Sequence, residues 1–262
     1  AAKVAAYLAD HPQVEAVRWA GLASSPWHER ATAITGGKGY GSVPAFVIAG
    51  GREAGAKFVE GLTTHAVTGQ ALPAYGTNVL TNIINEAGGY PTYNFRDGQF
   101  AGASKISGET FADLETKRGG NATHPCHRGC VIRCSGTYVD KDGHFVSKQP
   151  EYETVWAHGG NCGISDPDAI AQIDFLDDTI GLDTIEMGVT IGVAMQAGLI
   201  KFGDAAGAIE LINEVGKGTP LGKILGSGAA VTGKVFGVEK VPVVKNQALP
   251  AYDPRAVQGI GV

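Results

Sequence analysis

Apolar positions along this chain recur mostly at helical spacing, with short alternating runs near the start and in the middle. Val4 and Leu8 with neighbouring alanines form a helical stripe that stops near His11-Pro12. Residues 14–19 alternate as a strand, Ser25-Pro26 opens a helix over 27–33, and residues 36–41 form a glycine-rich loop. A second strand is predicted over 42–48, closed by Gly50-Gly51, and a helix over 53–62 turns Ala54, Phe58 and Leu62 inward. The character changes at residue 67. A helix over 77–87 places Val79, Leu80, Ile83 and Ile84 on one face and ends at Gly88-Gly89. An irregular aromatic segment follows over 90–96, then a helix opening at Ser107 as N-cap. Residues 137–146 alternate around Asp142-Gly143 as a β-hairpin. Beyond it the pattern is helical over 150–159, 167–180, 184–197, 204–216 and 220–226, with Asp166-Pro167 a strong helix opening. The expected fold class is α+β, a small N-terminal α/β unit over 1–66 followed by a mainly α-helical domain over 67–262 with one β-hairpin.

Composition narrows the function. The 262 residues are mildly acidic at net −5 and 44% hydrophobic, enough for a core. No basic surface for nucleic acid is indicated, and no apolar run is long enough for a bilayer. No export signal opens the chain, and clustered rather than scattered cysteines suit a reducing cytosol, so a cytoplasmic location is expected. The chain opens without Met and stops at Gly259-Ile-Gly-Val262, and both ends read as cut.

The candidate chemistry lies in HPCHRGCVIRCS, residues 124–135. Three of the four cysteines, Cys126, Cys130 and Cys134, fall here at spacings of four. Thiolates so close suit a soft metal or an iron–sulfur centre. The polar flanks His127, Arg128 and Arg133 argue against buried inert thiols. Zinc, with His124 or His127 as fourth ligand, is the rival. Cys162 reads as a buried small residue or, alternatively, a substitute fourth ligand. Two other motifs carry nothing. The segment GAAVTGKV at 228–235 fails as a phosphate loop because Val235 stands where Ser or Thr is required. Asp140-Lys-Asp-Gly143 lacks the rest of a calcium loop and reads as a turn.

Two resemblances add to this. The segments KVAAYLADHPQVEAVRWAGLASSPWHE, VPAFVIAGG and REAGAKFVEGL resemble the C-terminal domain of Cys/Met-metabolism PLP-dependent enzymes, especially O-acetylhomoserine sulfhydrylases. That family's Schiff-base lysine lies in a domain absent here; Lys38 and Lys57 read as solvated. From about residue 68 onward the chain resembles the tungsten-containing aldehyde:ferredoxin oxidoreductases, through LPAYGTNVLTNIINEAGGYPTYNFRDGQF, HPCHRGCVIRCSGTYVDKDG, PEYETVWAHGGNCGI, DTIGLDTIEMG and VPVVKNQALPAYDPRAV. Only the middle of such an enzyme is covered.

The second resemblance implies a [4Fe-4S] cluster and a tungsten (or molybdenum) bispterin. Cys126, Cys130 and Cys134 would be three cluster ligands, at C-x3-C-x3-C where the family usually has C-x2-C-x3-C. Asp178, Gly181, Leu182 and Asp183 match the family's pterin motif; the bare residues also read as a helix C-terminus with a glycine cap. Glu153 falls where the family places an active-site glutamate; by itself it reads as an exposed helix-start carboxylate. The implied activity is oxidation of an aldehyde to the acid, with ferredoxin and the aldehyde as partners, a homo-oligomer allowed, and neither nucleic acid nor membrane involved. The alternatives are a PLP-dependent sulfhydrylase-type fragment and a non-catalytic truncated or fusion product.

Overall fold

The computed structural model describes residues 14–17, 46–48, 52–127 and 129–251, with only the backbone for 14–17, 46–48, 52–56 and Phe58. The sequence-predicted helices near 1–11 and 27–33, the loop at 36–41 and the inward turn of Ala54 and Phe58 lie outside the described features. The chain divides into two units, one of residues 1–73 with 124–134, the other of residues 74–123 with 135–262.

In the first unit, strands β1 (Val14–Val17) and β2 (Phe46–Ile48) pair antiparallel, Val14 opposite Ile48 and Val17 opposite Phe46. Helix α1 (Arg52–Thr64) follows. It runs into a π-helical turn over Ala66–Ala71, where the sequence changes character. Gly69 is required there, because a Cβ would sit 2.0 Å from the Thr63 carbonyl oxygen.

The second unit begins with a 3-10 turn (Thr77–Val79) leading into α2 (Leu80–Glu86) and continues to α3 (Gly108–Arg118). Ser107 caps α3 as expected, accepting from the Thr110 N–H at 3.4 Å. The segment between these helices is irregular and aromatic, as its composition predicts. Tyr93, Asn94 and Phe95 all adopt left-handed φ of 50–58°, a run that costs about 1–2 kcal/mol per residue. Its neighbours compensate. The Tyr93 and Asn94 N–H groups donate to the Gly160 and Asn161 carbonyls at 3.1 and 3.0 Å. Phe95 packs edge-on against Trp156, whose indole N–H donates to the Pro91 carbonyl.

Strands β3 (Asn121–His124), β4 (Ser135–Val139) and β5 (Phe145–Lys148) form one sheet in that order. The hairpin turns at the expected Asp142-Gly143, and the third strand is an addition the alternation pattern did not reveal. Helices α4 (Tyr152–His158), α5 (Pro167–Ile180), α6 (Thr184–Gln196), α7 (Ala205–Lys217), α8 (Pro220–Leu225) and α9 (Ala229–Phe236) follow. The starts of α5, α6, α7 and α8 are fixed by side-chain caps from Asp166, Asp183, Asp204 and Thr219. A small second hairpin, β6 (Val243–Val244) and β7 (Gln247–Ala248), completes the described chain; it was not anticipated either. The architecture is α+β. Among the described residues, no helix is long and apolar enough to cross a membrane.

The core of this unit centres on α6, buried at every position from Met187 to Met195. A helix apolar on all sides belongs inside. Gly188 and Gly192 let α4 approach, since a Cβ at these positions would lie 2.5 Å from the Ala157 Cβ and 2.6 Å from Asn161 Nδ2. One expectation fails: Ile83 does not join Val79 on the buried face but is 60% exposed, because the 3-10 start rotates α2.

Two outcomes follow from this packing. Gly188→Val forces α4 and α6 apart and lowers stability by about 1–3 kcal/mol, read as a fall in denaturant midpoint. Glu115 on α3 is fully buried with neither carboxylate oxygen hydrogen-bonded, and burial pushes its carboxyl up to about 8. A folded-state pKa raised above the unfolded value means stability is complete below the ordinary 4.5 and is lost as pH rises toward 8. Glu115→Gln removes this pH dependence, and chemical unfolding at pH 5 and pH 8.5 measures it.

Candidate functional site

The cysteine loop, residues 125–134, belongs to the first unit. Left-handed Gly129 (φ 85°) and Arg133 (φ 57°) bend it tightly. The Cys130 N–H donates to the His127 carbonyl at 3.2 Å, and the Arg133 N–H points at Cys130 Sγ at 3.5 Å. The ligand atoms of Cys126, His127 and Cys130 all lie within 4.8 Å of one another. Cys126 is exposed, while Cys130 and Cys134 are half-buried. Burial raises the Cys130 thiol, but the backbone N–H groups of Arg133 and Ile132 and the neighbouring Cys126 outweigh it and hold the thiol below its ordinary range. Two of the three expected sulfurs thus converge with an imidazole, and Cys134 lies outside that triplet. Two thiols and an imidazole in one bend, a third thiol on the same loop and a thiolate favoured by N–H donors form a donor set that fits a soft metal or a cluster.

The remaining expected residues belong to the second unit. Glu153 sits in the first turn of α4 and is half-buried rather than exposed. Its carboxylate accepts from the Ala251 N–H at 2.9 Å. Burial raises its carboxyl, the Ala251 N–H partly offsets this, and nearby Asp183 raises it further. Glu151, the other glutamate of PEYET, faces away and accepts from the Thr77 hydroxyl.

Asp183 is the N-cap of α6, accepting from the Glu186 N–H at 2.8 Å. It lines a cavity of about 700 Å³ with Ile185, Glu186 and residues of the β6–β7 hairpin. The Thr154 and Thr184 hydroxyls meet at 2.9 Å, so the first turns of α4 and α6 touch. Asp178, on the last turn of α5, pairs with Lys148 at 2.9 Å. Gly181 (φ 85°) ends α5, and the Leu182 N–H closes the cap on the Asp177 carbonyl at 2.8 Å. The helix-cap reading of this motif therefore holds. It leaves acceptor-only carboxylates at Asp178 and Asp183, and the Asp183 cavity has the volume of a small-ligand site. Carboxylate oxygens accept N–H donors of the kind a pterin edge carries; Asp183 lines the cavity, and Asp178 is not among its lining residues.

Cys162 is fully buried, and its thiol hydrogen-bonds to the Ala157 and Gly188 carbonyls at 3.2 and 3.4 Å; it is a core residue. The Asp140 turn is a side-chain-capped hairpin, its carboxylate accepting from the Asp142 and His144 N–H groups. In the first unit Lys57 is exposed on α1.

Three polar groupings escaped the sequence reading. Glu186 accepts from the Ala229 and Ala248 N–H groups at 2.9 and 2.8 Å, fastening α9 and the second hairpin to α6. His158 pairs with Asp177 at 2.8 Å in the core. Lys148 bridges Asp174 and Asp178. The only sequence signal for any of these is the i, i+4 spacing of the two aspartates.

Comparison with known proteins now bears on the site. The profile of aldehyde ferredoxin oxidoreductase, domains 2 & 3, matches residues 53–262. The chain belongs to the aldehyde ferredoxin oxidoreductase family. The tungsten-containing aldehyde ferredoxin oxidoreductase of Pyrococcus horikoshii is 39% identical over 222 residues, covering 78% of this chain and 35% of that protein. The Pyrococcus furiosus protein of the same name is 37% identical over 219 residues, with the same two coverages. A more distant relative, an aliphatic sulfonate oxidoreductase WOR-like subunit of P. furiosus, is 29% identical over 115 residues, 38% of this chain and 18% of that subunit. The chain spans about a third of the length of the curated relatives it matches. Residues 1–74 separately match the profile of Cys/Met metabolism PLP-dependent enzymes.

Within this family member, Glu153 and Glu186 hold the start of α9 and the segment after it by their backbone. Glu153→Ala is expected to speed exchange of the Ala251 amide, and Glu186→Ala that of Ala229 and Ala248, by about tenfold each, the loss of one charged hydrogen bond. Hydrogen-exchange NMR reads both.

Proposed function

We propose that this chain is the cluster- and pterin-binding portion of a tungsten-dependent aldehyde oxidoreductase. The observation that carries the reading is the convergence of Cys126, His127 and Cys130 ligand atoms within 4.8 Å on a loop that also holds Cys134. When bound, a tungsten–bispterin centre supplies two-electron oxidation of an aldehyde to its acid, and a [4Fe-4S] cluster relays the electrons singly to ferredoxin.

The chain's own residues have distinct parts in this. Cys126, Cys130 and Cys134 present thiolates to the cluster, with the Arg133 N–H stabilising negative charge on Cys130 Sγ. Asp178 and Asp183 accept N–H donors from the pterin edge. Gly181 and Leu182 set the turn that separates those two carboxylates. Glu153, raised above the usual carboxylate range by burial and by Asp183, takes a proton at its carboxylate from water or the hydrated aldehyde. Conversion of an aldehyde and one water to an acid releases two protons and two electrons, and in this reading Glu153 receives one of those protons.

His127 favours a second reading, a zinc site of Cys126, His127, Cys130 and Cys134. Anaerobic purification followed by metal and sulfide analysis separates the two. Iron and acid-labile sulfide in equal amounts, about four of each per chain, are expected for a [4Fe-4S] cluster. Cys130→Ser abolishes both, and Cys162→Ser leaves both in place. Zinc without sulfide establishes the second reading and ends the first.

A further inference from the structure

Lys148, the last residue of β5, is held unlike an ordinary surface lysine. Its Nζ lies 3.0 and 3.1 Å from the two oxygens of Asp174 and 2.9 Å from Oδ2 of Asp178. The Asp174 side chain is 0% exposed, Lys148 42% and Asp178 54%. A buried carboxylate without a partner is strongly disfavoured, so Asp174 fixes the ammonium. Burial keeps the Asp174 carboxyl above its ordinary range even with Lys148 in place. Asp178 stands one turn further along α5, where two aspartates would repel without the cation.

We infer that Asp174 and Lys148 form a positioning pair for Asp178: Lys148 takes Oδ2 and fixes the rotamer, which leaves Oδ1 as the acceptor offered to a pterin ring edge. The inference rests on the reading of Asp178 as a pterin contact and adds two residues to it. It also ties the strand leading into the Glu153 segment to the helix carrying Asp178, within one unit of the fold. Neither Asp174 nor Lys148 touches the ligand; both act through Asp178.

The test uses the full 262-residue chain and 6-hydroxymethylpterin as probe, with binding followed by its fluorescence. Lys148→Met alone would strand the charge of Asp174 in the core, so the informative variant combines Lys148→Met with Asp174→Asn. Asp178→Asn is expected to weaken binding about tenfold, the loss of a charged acceptor. The double variant is expected to weaken it roughly fivefold, the cost of leaving one side chain unordered, read at a temperature well below the thermal midpoint of both proteins. Lys148→Arg, which keeps a cation between the two carboxylates, leaves binding within about twofold of the parent. Parent-like binding by the double variant, beside weakened binding by Asp178→Asn, overturns the positioning role and leaves the pterin reading standing. Binding by Lys148→Arg as weak as that of the double variant also overturns the positioning role. No saturable binding by the parent, or parent-like binding by Asp178→Asn, overturns the pterin reading and the inference with it.

Discussion

The close approach of α4 to α6 is the constraint on which the larger unit depends. Gly188 and Gly192 have no side chain because Ala157 and Asn161 occupy that space. The helix they belong to is buried for nine successive residues, so it cannot shift without opening the core. The same approach brings the two helix starts together. Thr154 and Thr184 touch, and the carboxylates of Glu153 and Asp183 come near enough to raise the proton affinity of Glu153. Helix starts favour negative charge, which makes a pair of acids tolerable there. Packing chosen by small residues thus sets the electrostatics several residues away.

Charge in this unit is organised around aspartates and glutamates that the fold takes out of water. Each is met differently. Asp174 has Lys148, Asp177 has His158, and Glu186 has two backbone N–H groups from separate segments. Glu115 has no hydrogen bond to its carboxylate and is neutralised by burial instead. The compensated acids fasten elements to one another: α5 to β5, α5 to α4, and α6 to both α9 and the second hairpin. The chain's mild acidity is therefore not simply a property of its surface.

The cysteine loop follows another logic. Two left-handed residues with a few backbone hydrogen bonds bend it. Those donors also favour a thiolate at Cys130. Where thiolates of this kind take up a metal, binding is in general coupled to folding.

Much of this was legible in the chain itself. The capped helices between residues 167 and 226 were, because an Asp-Pro opening, glycine ends and 3.6-residue periodicity are local signals; α9 (Ala229–Phe236) was not. So were the Asp142-Gly143 turn and the aromatic segment. The spaced cysteines exposed the candidate chemistry, since ligand sets at short spacing need no tertiary information; DTIGLD stood out only through the family resemblance, its bare residues reading as a helix end. Other features were hidden because their partners are distant in sequence. Glu186 meets residues 43 and 62 positions away, and Lys148 meets aspartates 26 and 30 away. The exposure of Ile83, the third strand and the burial of Glu153 likewise depended on what packs against them. Sequence determined the helices, their caps and the inventory of reactive groups, because those depend on neighbours along the backbone. Only the tertiary structure decided which acids are buried and what answers each one, because desolvation is set by whatever the rest of the fold brings alongside.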